Sequence, residues 1–207
     1  MRIIGLTGGI ACGKSHVSSV LREAGVPIAD GDQLARVLTA PSGAALPAIR
    51  AAFGGGVFNP DGTLDRKALG KVVFSDREAL ATLDRLMEPL LMQLIRDTLD
   101  GFDRQGAPLC VMDMPLLYER GLDALCQRVW CVTVPREVQI ARLYERDGLN
   151  REEAQARIDS QLPVAEKAAR ADVVIDTRGS MEETRSIVLR LWQEEVRRAQ
   201  KEEEHGA

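Results

Sequence analysis

The segment from Gly8 to Ser15 has residue types and a spacing that suit phosphate binding, because it fits the pattern G-x-x-x-x-G-K-[ST]. It follows a short apolar run, Ile3 to Leu6, and precedes a helix-compatible stretch, His16 to Ala24. Glycines let such a loop curl so that successive backbone N–H groups point inward, and the next helix adds the positive end of its dipole. In this context the pattern predicts a loop that binds nucleotide phosphates, rather than an ordinary glycine-rich turn.

The side chains of this phosphate loop predict distinct roles. Lys14 is expected to reach the β- and γ-phosphates, and the Ser15 hydroxyl to ligate Mg²⁺. Only the backbone is needed at Cys12, so its thiol receives no catalytic role, and the His16 side chain is expected to pack or lie at the surface. The predicted nucleotide-binding residues of this segment are Gly8, Gly9, Ile10, Ala11, Cys12, Gly13, Lys14, Ser15 and His16.

Two acids, Asp30 and Asp32, directly follow the apolar run Val26–Ala29. They are therefore expected at the carboxyl edge of a sheet, where open α/β folds bind ligands. One carboxylate could accept the proton of an attacking hydroxyl while the other orients substrate or metal-bound water. The alternative is that Asp30 or Asp32 only caps a helix over Gln33–Leu38, and for Asp30 the sequence favours neither interpretation.

A third acid, Asp113, follows the apolar run Leu109–Met112 and is also expected where a strand leaves the sheet. Enzymes with this kind of phosphate loop carry an acid there that holds Mg²⁺ directly or through water. The alternative is that Asp113 satisfies backbone groups of the turn into Pro115.

A helical pattern between residues 136 and 170 carries several cations around a break at Gly148. Arg142 and Arg146 lie four positions apart, so both are expected on one helix face. They could converge on transferring phosphates if the segment closes as a lid. Charge pattern alone favours a solvated face, because acids are interspersed with the cations. These acids are Glu145, Asp147, Glu152 and Glu153, and the other cations are Arg151, Arg157, Lys167 and Arg170.

The elements that must position these residues alternate between short apolar runs and longer helical patterns. Such an order predicts an α/β fold with a five-stranded parallel sheet flanked by helices. The predicted strands are Arg2–Leu6, Val26–Ala29, Leu109–Met112, Val129–Val134 and Val173–Ile175. Helix starts are predicted from capping boxes at Ser75/Glu78, Asn150/Glu153 and Ser180/Glu183.

About eighty residues separate the second and third predicted strands, far more than a simple crossover needs. Leucines spaced from Leu80 to Ile95 predict a long amphipathic helix, and Ala44–Phe53 and Arg66–Phe74 add shorter ones. The sequence therefore predicts a helical insertion for a second substrate. The expected domains are a nucleotide-binding core over 1–31 and 106–207, a helical insertion over 32–105, and a lid over 140–165.

Composition limits the remaining classes. A net charge of −4 provides no global basic field for nucleic acid. The four cysteines form no C-x-x-C, so a zinc module is not expected and the thiols should be reduced. No run approaches the roughly 18 apolar residues of a membrane span, and the first residues lack a signal-peptide pattern. We therefore expect a cytoplasmic chain whose folded core begins at once, with no nucleic-acid or membrane partner.

Taken together, the motifs resemble those of the dephospho-CoA kinase family over nearly the whole chain. The phosphate loop is generic, whereas the string D-x-P-L-L-[FY]-E and the later R-I-x-x-Q are more specific to this family. The matching segments are Thr7–Ser15, Asp30/Asp32, Asp113–Glu119, the cluster Gln139/Arg142/Arg146, Arg157–Gln161 and Ala171–Asp176. The resemblance implies a P-loop kinase fold with a helical substrate-binding insertion and a helical lid.

The resemblance also implies the reaction: transfer of the γ-phosphoryl group of ATP to the 3′-hydroxyl of dephospho-CoA, the last step of coenzyme A synthesis. It implies that Asp32 is the general base, that Arg142 and Arg146 are lid arginines, and that Arg146 and Asp176 contact the nucleotide. Lys14 would bind phosphate, and Ser15 and Asp113 would hold Mg²⁺. ATP and dephospho-CoA are the expected partners of a monomer or weak homo-oligomer.

Two departures from the family pattern stand out. Glu88-Pro89 occurs where the family usually has His-Pro, and Asp176-Thr177 where it often has Asp-Asn. Competing interpretations are another small-molecule or nucleoside-monophosphate kinase, a GTPase-type switch and a nucleic-acid ATPase. The chain has no N-K-x-D guanine motif, and its acidic balance disfavours the last class.

Overall fold

The computed structural model describes residues 1–205, with side chains up to residue 202. The chain divides into two compact units, one formed by Met1–Ala29 with the residues from Phe102 onward, the other by Asp30–Gly101. In chain order the described elements are β1 (Arg2–Gly8), α1 (Lys14–Glu23), β2 (Ile28–Asp30), α2 (Gly31–Leu38), α3 (Leu46–Phe53), α4 (Arg66–Ser75), α5 (Arg77–Arg104), β3 (Leu109–Asp113), β4 (Arg128–Thr133), α6 (Arg136–Asp147), α7 (Arg151–Asp159), α8 (Val164–Arg170), β5 (Val173–Asp176) and α9 (Met181–His205).

Within residues 1–205 the strands form one five-stranded sheet in the order β2-β3-β1-β4-β5. Strand β1 pairs in parallel with β3 and β4, and β4 pairs in parallel with β5. The predicted parallel sheet is confirmed. Strand β2 begins at Ile28 rather than Val26, because the Val26 amide closes the end of α1 by donating to the Leu21 carbonyl.

The sheet is the core of the first unit. Its central strands bury apolar side chains almost completely, as in Leu6, Val111 and Trp130. Side chains of α1 and α9, including Leu21 and Val188, pack into the same cluster. Strands covered in this way show continuous apolar runs rather than alternation, which is why the sequence revealed them.

The parallel register gathers the strand ends that carry polar residues. Leu6 is level with Asp113 on β3, Thr7 with Cys131 on β4, and Thr133 with Asp176 on β5. The segments that follow β1, β3 and β5 therefore leave the sheet at the same edge, where ligands bind in open α/β folds.

Two of the three predicted capping boxes are confirmed. The side chains of Asn150 and Glu153 each bond the other's backbone N–H, and Ser180 and Glu183 do the same. The prediction at Ser75 is wrong, since Ser75 ends α4 and its hydroxyl donates to the Lys71 carbonyl. Asp76 accepts from the Glu78 amide at 2.8 Å instead, because a carboxylate is a stronger acceptor than a hydroxyl at this helix start.

The second unit is built from α2, α3, α4 and most of α5. The predicted long amphipathic helix is confirmed as the 28-residue α5, which buries Leu91, Ile95 and Leu99 on one face. Pro89 lies inside this helix, and Glu88 beside it is exposed. The shorter predicted helices correspond to α3 and α4.

All four cysteines lie in the described part of the chain and are free. Burial raises the pKa of Cys110 and of Cys131 to about 12. Both thiols are therefore protonated over the physiological pH range, and their side chains serve the packing of the sheet. Among residues 1–205, no helix is both long and apolar enough to cross a membrane.

Candidate active site

The phosphate loop connects β1 to α1, as the sequence predicts. Two of its glycines, Gly8 and Gly13, occupy positions where a side chain would clash or strain the backbone. A Cβ at Gly8 would lie 2.6 Å from the Val132 carbonyl oxygen, so only glycine lets the loop pass β4 this closely. Gly13 precedes α1 with φ of 84°, in the left-handed region that glycine adopts without strain. Ala11 also has a positive φ, 59°, although it carries a side chain.

The Lys14 ammonium group is paired with Asp113 at the end of β3. Its Nζ atom lies 2.5 Å from Asp113 Oδ1, and the Asp113 side chain is only 3% exposed. The other carboxylate oxygen accepts a hydrogen bond from the Ser18 hydroxyl. The structure thus brings together two sequence-predicted site residues, and the buried carboxylate holds the lysine at the start of α1.

Ser18 is a site residue that the sequence analysis missed. It lies one helical turn after Lys14, and its hydroxyl also donates to the Lys14 carbonyl at 3.2 Å. The spacing of four residues places Ser18 and Lys14 on the same face of α1. This spacing was the signal in the sequence from which Ser18 could have been predicted. Ser15, the predicted Mg²⁺ ligand, is exposed at the first turn of this helix.

The two arginines predicted to share a face have different partners. Arg142 donates to the Ala11 carbonyl at 3.2 Å and to the Thr177 carbonyl at 2.7 Å, so it lies against the phosphate loop. Arg146 is more exposed and pairs with Asp147 at 2.8 Å. This hydrogen bond holds the pKa of the Asp147 carboxyl below its usual value. The charge pattern of this segment favoured a solvated face on which arginines pair with interspersed acids. Arg146 has that environment.

Residues at the end of β5 and directly after it lie on this side of the loop. Asp176 pairs with Arg178 at 2.7 Å, and a hydrogen bond from Arg178 lowers the pKa of the Asp176 carboxyl. Thr177, which departs from the family pattern, is buried, and its hydroxyl donates to the Cys12 carbonyl at 2.7 Å. Thr177 is thus in direct contact with the loop.

Two glutamines bind the backbone of Ile10 inside the loop. Gln139 Nε2 donates to the Ile10 carbonyl at 2.7 Å, and the Ile10 amide donates to Gln161 Oε1 at 3.1 Å. Gln161 ends the R-I-x-x-Q string, so the family motif was the only signal for its place at the loop.

Two further residues predicted to bind the nucleotide, Cys12 and His16, have side chains that contact other parts of the protein. Cys12 is 1% exposed, and burial raises the pKa of its thiol. His16 Nε2 lies 3.0 Å from the Met181 carbonyl oxygen at the start of α9. Cys12 thus packs in the core, and His16 contacts the start of α9.

Asp30 and Asp32 belong to the second unit, where their positions differ. The Asp30 carboxylate accepts from the Gln33 amide at 3.0 Å and caps α2, which is the alternative that the sequence left open. Asp32 is exposed in the first turn of that helix.

Among the cations of the 136–170 segment, Lys167 is buried, which the charge pattern did not indicate. Its side chain is fully buried, and Nζ lies 2.7 Å from Glu119 Oε1 and 2.8 Å from the Pro115 carbonyl oxygen. The same Glu119 oxygen accepts from the Leu162 amide at 3.1 Å. Lys167 therefore ties α8 to the segment that follows Asp113.

Many kinases share a phosphate loop, an acid on the strand beside it in the sheet and a helical insertion. The family is therefore decided by comparison with known proteins. The family model described as dephospho-CoA kinase matches residues 2–183. The chain belongs to the dephospho-CoA kinase family. The family resemblance found in the sequence is thereby confirmed.

Individual relatives agree with the family model. The chain is 50% identical to a dephospho-CoA kinase of Anaeromyxobacter dehalogenans, over 88% of this chain and 86% of that one. It is 46% identical to the enzyme of that name from Symbiobacterium thermophilum, over 93% of this chain and 80% of that one. The chain is thus an enzyme, an ATP-using kinase of coenzyme A biosynthesis.

Solved structures support the fold. A Thermus thermophilus protein superposes with a TM-score of 0.76 at 36% identity, covering 93% of this chain and 97% of that one. A dephospho-CoA kinase from Campylobacter jejuni superposes with a TM-score of 0.68 at 26% identity, covering 93% and 96%. The predicted P-loop kinase fold is confirmed.

The buried contacts of Lys167 lead to a stability prediction. Lys167→Met keeps the length of the side chain but leaves the Glu119 carboxylate and the Pro115 carbonyl without their shared donor. We expect the free energy of unfolding to fall by about 3 kcal/mol, the lower end of the cost of removing one partner of a buried ion pair, because the Glu119 side chain is 23% exposed. Urea denaturation measures this change. The control is Arg151→Met, which breaks an exposed pair with Glu137 and should leave stability unchanged. Equal losses in the two variants would contradict the role of Lys167.

Proposed function

We propose that this chain transfers the γ-phosphoryl group of ATP to the 3′-hydroxyl of the dephospho-CoA ribose, giving coenzyme A and ADP. The observation that carries the proposal is the Lys14–Asp113 pair at the phosphate loop, 2.5 Å apart, in a chain that matches the dephospho-CoA kinase family over residues 2–183. Phosphoryl transfer depends on positioning and on neutralising phosphate charge, and this loop supplies groups for both.

In the proposed mechanism the loop binds the donor. Backbone N–H groups of the Gly8–Ser15 loop cradle the phosphates, except those of Ile10 and Cys12, which donate to Gln161 and to the Gly9 carbonyl. Lys14 stabilises the charge of the transferring group. Arg146 and Asp176 are the proposed further nucleotide contacts. The exposed Arg146 guanidinium can change partners at little cost, because its pair with Asp147 is solvated.

The residues available for Mg²⁺ fit a hard cation. Ser15 offers an exposed hydroxyl oxygen and Asp113 a carboxylate, which are oxygen ligands of the kind that Mg²⁺ prefers. Because Lys14 and Ser18 engage the two carboxylate oxygens of Asp113, this acid would hold the ion through water or after Lys14 turns to the phosphates. Among the side chains of residues 1–202, no group of three or more His, Cys, Asp or Glu is placed to hold a metal ion. A nucleotide-bound Mg²⁺ does not require such a cluster, because phosphate oxygens and water complete its ligands. Bound there, the ion would neutralise charge on the β- and γ-phosphates.

The acceptor is proposed to bind at the helical insertion, residues 32–105, with Asp32 as general base. Asp32 is exposed and its neighbour Asp30 is engaged as the cap of α2. A carboxylate that is accessible to ligand can accept the proton of the attacking 3′-hydroxyl.

The direct test of function is to incubate the purified protein with ATP, Mg²⁺ and dephospho-CoA, with AMP and shikimate as parallel acceptors. Mass spectrometry should show one added phosphate on dephospho-CoA alone. Phosphorylation of another acceptor, or ATP hydrolysis alone, would contradict the proposal.

Lys14→Ala should lower kcat/KM by at least about a hundredfold, because it removes charge stabilisation of the transferring group.

The role of Asp32 can be separated from that of Asp30. Asp32→Asn should lower kcat by about 10²–10⁴-fold with unchanged ATP affinity, since it removes the proton acceptor. Asp30→Asn is the matched control, because asparagine keeps a capping oxygen and should retain most of the turnover. Steady-state kinetics and nucleotide titration measure both quantities. Near-normal turnover in Asp32→Asn would eliminate it as the base.

Residues 140–165 are proposed to close as a lid over bound nucleotide. Arg142 and Gln161, near the two ends of this segment, already bond the phosphate loop, so closure would move the part between them. Gly148, with φ of 68°, ends α6 and separates it from α7 within this segment. Hydrogen exchange should slow in residues 140–165 when ATP is added, because closure would protect their amides. Unchanged exchange there, with protection confined to the phosphate loop, would contradict a lid.

A further inference from the structure

Side chains from outside the phosphate loop hold four backbone groups of three consecutive residues in its middle. The Ile10 amide and carbonyl bond Gln161 and Gln139, the Ala11 carbonyl accepts from Arg142, and the Cys12 carbonyl accepts from Thr177. We call these four side chains, Gln139, Arg142, Gln161 and Thr177, the loop brace. Three of the four bonds hold carbonyl oxygens.

Holding carbonyls in this way has a direct electrostatic consequence. A loop that binds phosphate must present N–H groups to it, and a carbonyl oxygen turned toward phosphate would repel it. The carbonyls of Ile10, Ala11 and Cys12 are instead engaged by donors from α6 and from the residue after β5. The brace therefore favours the backbone orientation that phosphate binding requires.

The backbone at Ala11 also needs external support. Its φ of 59° lies in the left-handed region, which is strained for a residue with a side chain. Such conformations persist only where the surroundings impose them. The bonds to Ile10 on one side and to the Ala11 carbonyl on the other supply that constraint.

The two glutamines fit their positions closely. Gln139 is 1% exposed on α6, and a Cβ at Gly9 would lie 2.7 Å from its Nε2 atom, so the glycine leaves room for this amide. The backbone partners also fix the orientation of each amide group. The Ile10 carbonyl can only accept and the Ile10 amide can only donate, so Gln139 must present nitrogen and Gln161 oxygen.

We propose that Gln139 and Gln161 are positioning residues that hold the phosphate loop in its phosphate-binding shape before the nucleotide arrives. They act through the backbone of Ile10 rather than by touching the substrate. The proposal rests on the proposed function insofar as the loop binds ATP. Its consequence is specific: loss of either glutamine weakens binding of the phosphates beyond the first, while the rest of the nucleotide is bound as before.

The test compares ADP with AMP, because the loop's main contribution is to the β-phosphate. Gln139→Met and Gln161→Met each remove one hydrogen bond while keeping the length of the side chain. Calorimetry should show ADP affinity reduced by about tenfold in each variant, and AMP affinity unchanged to within about twofold. Gln155→Met is the control, since Gln155 lies on α7 and makes no hydrogen bond to the loop in the described part of the chain.

The outcomes separate positioning from mere stability. A structural defect would lower the melting temperature and weaken ADP and AMP together, which would overturn the proposal. Unchanged ADP affinity in both folded variants would also overturn it. If Gln139→Met does not fold, the more accessible Gln161→Met decides the result. If the wild-type protein binds ADP but leaves dephospho-CoA unphosphorylated, the proposed function fails while the ADP-to-AMP comparison still decides the role of the glutamines.

Discussion

The ion pair between Lys14 and Asp113 is the contact on which the site of the first unit depends. Asp113 is nearly buried at the end of β3, and a carboxylate in that environment is costly unless it is paired and hydrogen-bonded. Lys14 supplies the charge and Ser18 a hydroxyl donor. Because β1 and β3 are adjacent and in register at Leu6 and Asp113, the sheet itself sets the distance between the loop and its acid.

The helices after β4 bind the backbone of the phosphate loop and of the segment after β3, which their charge pattern did not indicate. Gln139 and Arg142 of α6 bind the loop backbone, and Lys167 of α8 holds the Pro115 carbonyl, two residues after Asp113. The Thr7 hydroxyl donates to the same carbonyl at 3.0 Å. Both the loop and the segment that carries its acid are thus anchored to one helical region.

Much of the fold could be predicted from the sequence because its signals are local. Apolar runs identified the five strands, and the spacing of leucines identified α5, since burial on both faces of a sheet or on one face of a helix leaves a periodic pattern. Helix starts were less certain. The Ser75/Glu78 spacing satisfied the capping rule, yet Asp76 caps the helix, because neighbouring polar residues compete for the same backbone amides and the sequence does not rank them.

The sequence by itself determined the phosphate loop, the acid at the end of β3 and the family, because each depends on neighbouring residues of fixed type and spacing. Tertiary structure decided which partners the other polar residues have. Lys167 and Arg146 are similar cations in one segment, yet the first is fully buried and the second is 60% exposed. Thr177 and Gln161 reach a loop more than a hundred residues away in the chain. Such contacts depend on how strands and helices are brought together in space, and no local pattern of charge or hydropathy records that arrangement.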